Sequence, residues 1–141
     1  MQKWLIISDS HGMNLDEIIK SHPGFKIIHC GDWCINKSFL DKNDIIYVKG
    51  NCDISLSDSE KIIELDGYKV FITHGHKYGV KTGYINLYYR ALEAECNYCF
   101  FGHTHRPTSF EMDEIKFLNP GSLRDGYYIE IIDGKIDFKR M

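Results

Sequence analysis

The chain has 141 residues, with 17 basic against 20 acidic side chains for a net charge of −3, and it is 43% hydrophobic. These are ordinary values for one globular domain with a real core, so we read residues 1–141 as a single domain. They exclude a broadly basic surface of the kind that draws long nucleic acids or anionic membranes.

In chain order, residues 4–8 (WLIIS) form an apolar run that predicts a strand buried on both faces. NLDEIIK follows, with Asn14 as N-cap and Glu17 three residues later, and His22-Pro23-Gly24 ends that helix. A second buried strand is predicted over 26–32, a brief helix over 35–42 and a third strand over 44–50. Alternating strand and helix point to a parallel α/β beginning. The later half reads as antiparallel, with a hairpin turned at Asp66-Gly67 and a last pair turned at Asp133-Gly134. Between them, residues 83–95 predict a helix whose Ile85, Tyr88, Tyr89 and Leu92 pack into the core. The expected fold class is α/β, a sandwich of two mixed sheets flanked by helices.

The opening residues do not read as a signal peptide, and no run approaches the roughly 18 apolar residues that span a bilayer. The five cysteines show no disulfide framework, and the single C-x-x-C at Cys96–Cys99 lacks a second pair for zinc. We therefore expect reduced thiols and a cytoplasmic protein.

Polar residues gather where strands end. WLIIS runs into Asp9-Ser10-His11, the second strand into Gly31-Asp32 and the third into Gly50-Asn51-Cys52-Asp53. Two later strands run into His74-Gly75-His76 and Gly102-His103-Thr104-His105. A lone Asp or Asn beside Gly after a strand is ordinarily a turn, and a lone histidine is ordinarily structural. Five tips at one end, all carrying nitrogen or oxygen ligands, argue instead for a shared site. The ligand set Asp9, His11, Asp32, Asn51, His74, His103 and His105 is carboxylate, amide and imidazole. It suits Mn2+ first, with Ni2+, Co2+, Fe or Zn2+ as alternatives. Seven ligands exceed one tetrahedral ion and fit two ions about 3.5–4 Å apart.

These motifs, D-x-H, GD, GN, His-Gly and GH-x-H, resemble those of the calcineurin-like metallophosphoesterases. GNCD, THGH, FGHTHRP and NPGS further resemble the small YfcE-type phosphodiesterase branch, which includes the vacuolar-sorting subunit of retromer, a scaffold. The resemblance implies that Asp9, His11, Asp32 and His105 hold one ion. It implies that Asp32, Asn51, His74 and His103 hold the other, with Asp32 bridging. One departure matters: many family members have a general-acid histidine where this chain has Cys52, and a thiol is a poor acid for a leaving oxygen. His76 is the substitute candidate, as a proton donor, as a phosphate contact or as a support for the His74 loop. Asp53 is expected to orient Asn51 or Cys52. Residues 119–122 are expected to turn near the site, Arg106 to lie on the surface rather than to meet a phosphate, and His22 and His29 to be structural. The implied activity is hydrolysis of small phosphodiesters by metal-activated water. A phosphomonoesterase or nuclease and a catalytically weak protein platform are the alternatives. The nine tyrosines and two tryptophans leave a homo-oligomer open.

Overall fold

The computed structural model describes residues 1–141 as two five-stranded mixed sheets packed face to face. The elements are β1 (Lys3–Ile7), α1 (Asp16–Lys20), β2 (Lys26–His29), α2 (Lys37–Lys42), β3 (Ile46–Tyr47), β4 (Glu60–Leu65) and β5 (Tyr68–Thr73). They continue with α3 (Ile85–Ala94), β6 (Tyr98–Phe100), β7 (Thr108–Met112), β8 (Ile115–Asn119), β9 (Tyr127–Ile132) and β10 (Lys135–Arg140). One sheet runs β10-β9-β1-β2-β3 and the other β4-β5-β6-β8-β7. The β1–β2–β3 and β5–β6–β8 ladders are parallel, and the three hairpins β4–β5, β7–β8 and β9–β10 and the long-range pair β1–β9 are antiparallel.

Strand alternation explains why β1 reads as wholly apolar. Trp4 and Ile6 face the other sheet, in a core with Ile28, Val70, Ile72, Phe100 and Ile129. Leu5 and Ile7 face outward, in a second core with Leu15 and Ile18 near α1 and Leu40 of α2. A third core lies outside the other sheet, where Phe71 and Phe117 meet α3. Each central strand is thus covered on both faces, as parallel strands require. The Trp4 indole N–H reaches Asp66 Oδ2 at 2.8 Å, pairing its one polar atom across the sheets.

Several details differ from the sequence-based expectations, and β2 ends early, at His29. Helix α1 begins later than expected: Leu15 is its N-cap, and Asn14 Oδ1 accepts from Asp16 N at 2.8 Å just ahead of it. Strand β3 is shorter than 44–50, because Ile45 N donates to Leu40 O and Lys49 N to Asp58 O, outside the ladder. In α3, the buried face is Leu87, Ala91 and Ala94, with Tyr84 and Tyr88 packed beside them, while Ile85, Tyr89 and Leu92 are exposed. Only Tyr88 of the expected stripe joins the core. The alanines let α3 sit close against Phe71 and Phe101, which larger side chains would prevent. No helix is long and apolar enough to cross a membrane.

Candidate metal centre

The parallel strands bring their carboxyl ends to one edge. Backbone bonds knit the loops there: Asp9 N to Gly31 O and His11 N to Asp32 O at 2.9 Å, Gly102 N to His74 O at 3.1 Å, and Leu123 N to Ser8 O at 2.8 Å. Asp9, His11, Asp32, His103 and His105 all have positive φ, from 45° to 73°. That conformation costs an L residue about 1–2 kcal/mol, and here it turns five side chains toward a common point.

Asp9 is fully buried. Its Oδ2 accepts from Ser8 Oγ at 2.6 Å and His103 N at 3.0 Å. Its Oδ1 accepts no hydrogen bond, although His105 Nε2 stands 3.3 Å away and the Nε2 atoms of His11 and His74 stand 3.7 Å away. Asp32 lies between two groups of histidines. Its Oδ1 accepts from Cys52 N at 2.9 Å, and its Oδ2 lies 3.2 Å from His74 Nε2 and 3.9 Å from His11 Nε2. Burial opposes the Asp32 charge, but the His74 hydrogen bond and charge and the Cys52 N–H hold its carboxyl well below the usual range. Burial likewise opposes a charge on His74, and Asp32 and Asp9 outweigh it and push its pKa up. Both shifts say that this point of the molecule demands positive charge.

The imidazoles are posed as ligands. His74 Nδ1 donates to Cys30 O at 2.9 Å, which aims Nε2 at the carboxylates. Ring nitrogens meet in pairs: Nε2 of His11 and His105 are 3.2 Å apart, and His74 Nε2 is 3.3 Å from His103 Nδ1. Burial, then the His74 and Lys81 charges, lower His103 to about 4, so it is neutral at pH 7 as a metal ligand must be. Three sets have ligand atoms within 4.8 Å of one another: Asp9, His11 and His105; His11, Asp32 and Cys52; and Asp32, His74 and His103. Converging ring nitrogens and an orphaned buried carboxylate oxygen fit a site for divalent cations.

The remaining candidates take different places. Asn51 is exposed, and its amide donates to Cys52 Sγ at 3.7 Å. Cys52 is exposed and its pKa is raised, by burial first and then by Asp32, so it remains a thiol. Asp53 bonds neither Asn51 nor Cys52 through its side chain. Its carboxylate accepts from Asp32 N at 2.8 Å, Gly50 N at 2.7 Å and Cys34 N at 2.8 Å, and so clamps the Asp32 loop. His76 lies outside the ligand sets, its ring 5.4 Å from that of His74, with Nδ1 buried and unpartnered. Burial, then His74, lower its pKa.

Ser8 was not singled out in the sequence, and Asn119 and Ser122 of the expected 119–122 turn take bracing roles that the sequence did not show. Ser8 holds Asp9 Oδ2, and Ser122 Oγ donates to Asp9 O at 2.9 Å. Asn119 is fully buried and donates to Gly102 O at 3.1 Å and Thr104 Oγ1 at 3.0 Å, so it braces the loop from beneath. Glycine does similar service: a Cβ on Gly50 would lie 2.1 Å from Asp32 Oδ1, and one on Gly102 2.1 Å from Ser8 Oγ. The glycines of the GD, GN and GH pairs were the available signal. His29 Nδ1 accepts from Gly31 N at 3.1 Å, leaving Nε2–H for Ser10 Oγ at 2.8 Å. Two unlike hollows flank the site. One is apolar, lined by Trp33, Cys34, Ile35, Cys52 and Ile54. The other is polar and includes Lys81, Thr104 and Arg106.

A profile of the calcineurin-like phosphoesterase superfamily domain matches residues 3–128. The chain is 38% identical over 125 residues to a probable metallophosphoesterase, YsnB, of Bacillus subtilis, covering 85% of this chain and 74% of the relative. It is 30% identical over 146 residues to a phosphodiesterase of Methanocaldococcus jannaschii, covering 82% and 81%. A predicted phosphoesterase from Streptococcus pneumoniae superposes with a TM-score of 0.88 at 32% identity, over 99% of this chain and 89% of that one.

Proposed function

This chain belongs to the calcineurin-like phosphoesterase superfamily, and we propose that it is a phosphodiesterase with a dinuclear centre of divalent metal ions, acting on small phosphodiesters. The observation that carries the reading is the Asp32 carboxylate set between two imidazole groups, with the unpartnered Asp9 Oδ1 beside it. Asp9, His11, Asp32 and His105 would hold one ion, and Asp32, Asn51, His74 and His103 the other. Two such ions supply a nucleophilic water at neutral pH and neutralise the phosphoryl charge. Mn2+ is the first candidate for a donor set of oxygen and imidazole nitrogen.

The chain's own residues then divide the work. Asp53 and Asn119 fix the loops. His74 Nδ1, committed to Cys30 O, keeps its ring from rotating. His76, neutral at pH 7, suits donating a hydrogen bond to a phosphoryl oxygen better than releasing a proton. Cys52 keeps its proton at Sγ and is a weak acid, so expelled groups must be good ones, such as aryl oxides. The test is hydrolysis of bis-p-nitrophenyl phosphate against p-nitrophenyl phosphate by protein stripped with chelator and refilled with Mn2+, Ni2+, Co2+, Zn2+ or Mg2+. Metal-dependent turnover that is faster on the diester is expected. No turnover with two ions bound per chain would overturn the reading. The exposed Ile85, Tyr89 and Leu92 face of α3 favours a second role as a protein-binding platform. A full set of ligand-type residues ranks that role below the enzyme.

A further inference from the structure

A few basic side chains are held in ion pairs. Arg90 bridges Glu60 and Glu93, Lys26 meets Asp66, and Lys139 meets Glu130. Lys81 and Arg106 are not so held: neither has a carboxylate within the 4.0 Å of an ion pair, and neither side chain donates a hydrogen bond within the chain. They come from separate loops, Lys81 ahead of α3 and Arg106 after β6, yet line one polar hollow of about 360 Å³ with Tyr84, Thr104, Thr108 and Val80. Two unpaired cations lining one hollow make a local positive patch, in a chain of net charge −3, that would attract an anion. The hollow's size falls within the roughly 300–1,000 Å³ typical of ligand pockets. Thr104 stands between His103 and His105, which places the hollow directly beside the candidate metal centre. The Tyr84 ring is held against Phe110 at 4.9 Å and Phe101 at 5.6 Å, a firm wall.

We propose that the Lys81–Arg106 hollow is a subsite for a second phosphate carried by the substrate. The preferred substrates are then nucleotide-like diesters that also bear a terminal phosphomonoester, rather than diesters with two uncharged arms. The inference rests on the phosphodiesterase reading for the position of the reacting phosphate. The planar guanidinium offers a two-pronged contact to phosphate oxygens, and the ammonium adds a point charge. The contrast with the apolar hollow by Trp33 and Ile54 gives the two arms of a diester different destinations.

The test uses a matched pair of chromogenic diesters: thymidine 5′-(p-nitrophenyl phosphate), and the same compound carrying a 3′-phosphate. The metal-loaded wild type should favour the 3′-phosphorylated substrate in kcat/KM by about tenfold or more, mainly through KM, and less so at high salt. Lys81→Gln and Arg106→Gln, both at exposed positions, should bring that ratio toward one, with circular dichroism confirming the fold. Hydrolysis of both compounds with a wild-type ratio near one, or a ratio unchanged in the variants, overturns the subsite and leaves the phosphodiesterase reading standing. If neither compound is hydrolysed, that reading falls, and calorimetry decides the subsite. Tighter binding of thymidine 3′,5′-bisphosphate than of thymidine 5′-monophosphate, lost in Arg106→Gln, supports it. Equal binding of the two overturns it.

Discussion

The two ends of the sheets use one backbone conformation for different purposes. At the amino ends of β1, β5 and β8, the turns at Asp133-Gly134, Asp66-Gly67 and Asp113-Glu114 place aspartates at positive φ, between 47° and 51°. Their contacts are local or structural: Asp133 Oδ1 accepts from Gln2 N at 3.1 Å, and Asp66 accepts from Trp4 and Lys26. At the carboxyl ends, Asp9, His11, Asp32, His103 and His105 take up the same conformation, but the Asp9 carboxylate is left with an unpartnered oxygen and imidazole nitrogens face one another. A left-handed residue at a hairpin follows from turn chemistry. At the other end His11 also sits in a tight turn, Met13 N donating to Ser10 O at 3.1 Å, but no hairpin joins these strands, and the conformation turns ligand-type side chains toward one point.

The sharpest break of this contrast is Asp32→Ala. It should lower turnover by at least about 100-fold, beyond the loss typical of residues that merely support a ligand. The fold should survive by circular dichroism, and bound metal, counted by elemental analysis, should fall. Next comes one substitution made at both ends. Gly50→Ala puts a Cβ 2.1 Å from Asp32 Oδ1 and should abolish most activity by displacing that carboxylate. Gly67→Ala, at φ +86° with nothing within 4 Å, should cost only about 1–2 kcal/mol in thermal unfolding and leave activity alone. Equal losses of activity from the two would dissolve the distinction.

A pH profile sharpens it further. Burial, then the His74 charge, lower His29 from its ordinary 6.5 to about 3. Between those values the unfolded chain binds the extra proton, so the stability His29 contributes is whole above pH 6.5 and is lost as pH falls toward 3. Thermal melts of His29→Gln should therefore show a shallower acid limb than the wild type. The smallest effect is expected from Cys52→His, which should speed alkyl more than aryl leaving groups by restoring an acid of suitable pKa. An unchanged ratio of alkyl to aryl rates would remove Cys52 from the neighbourhood of the leaving group.

Much of this was readable in the sequence because strand runs and ligand motifs are local signals. WLIIS, KIIH and YKVFIT announce their burial, and the Asp-Gly turns announce their hairpins. The GD, GN and GH pairs mark where ligand loops leave the strands. Contacts between distant loops were not readable. Asp53 looked like a neighbour of Asn51 and Cys52, but its carboxylate serves the Asp32 and Cys34 amides some twenty residues upstream. Asn119 looked like part of a turn and proved to brace the loop of His103. Helix α3 misled because two apolar stripes interleave, and the one containing alanines wins by its closer approach to Phe71 and Phe101.

The most direct test of the central claim is electron paramagnetic resonance of the protein titrated with Mn2+. The second equivalent should produce an exchange-coupled multiline spectrum, the mark of two ions bridged about 3.5–4 Å apart, and Asp32→Ala should abolish it. Spectra of isolated ions at every loading in the wild type would contradict a centre bridged by Asp32.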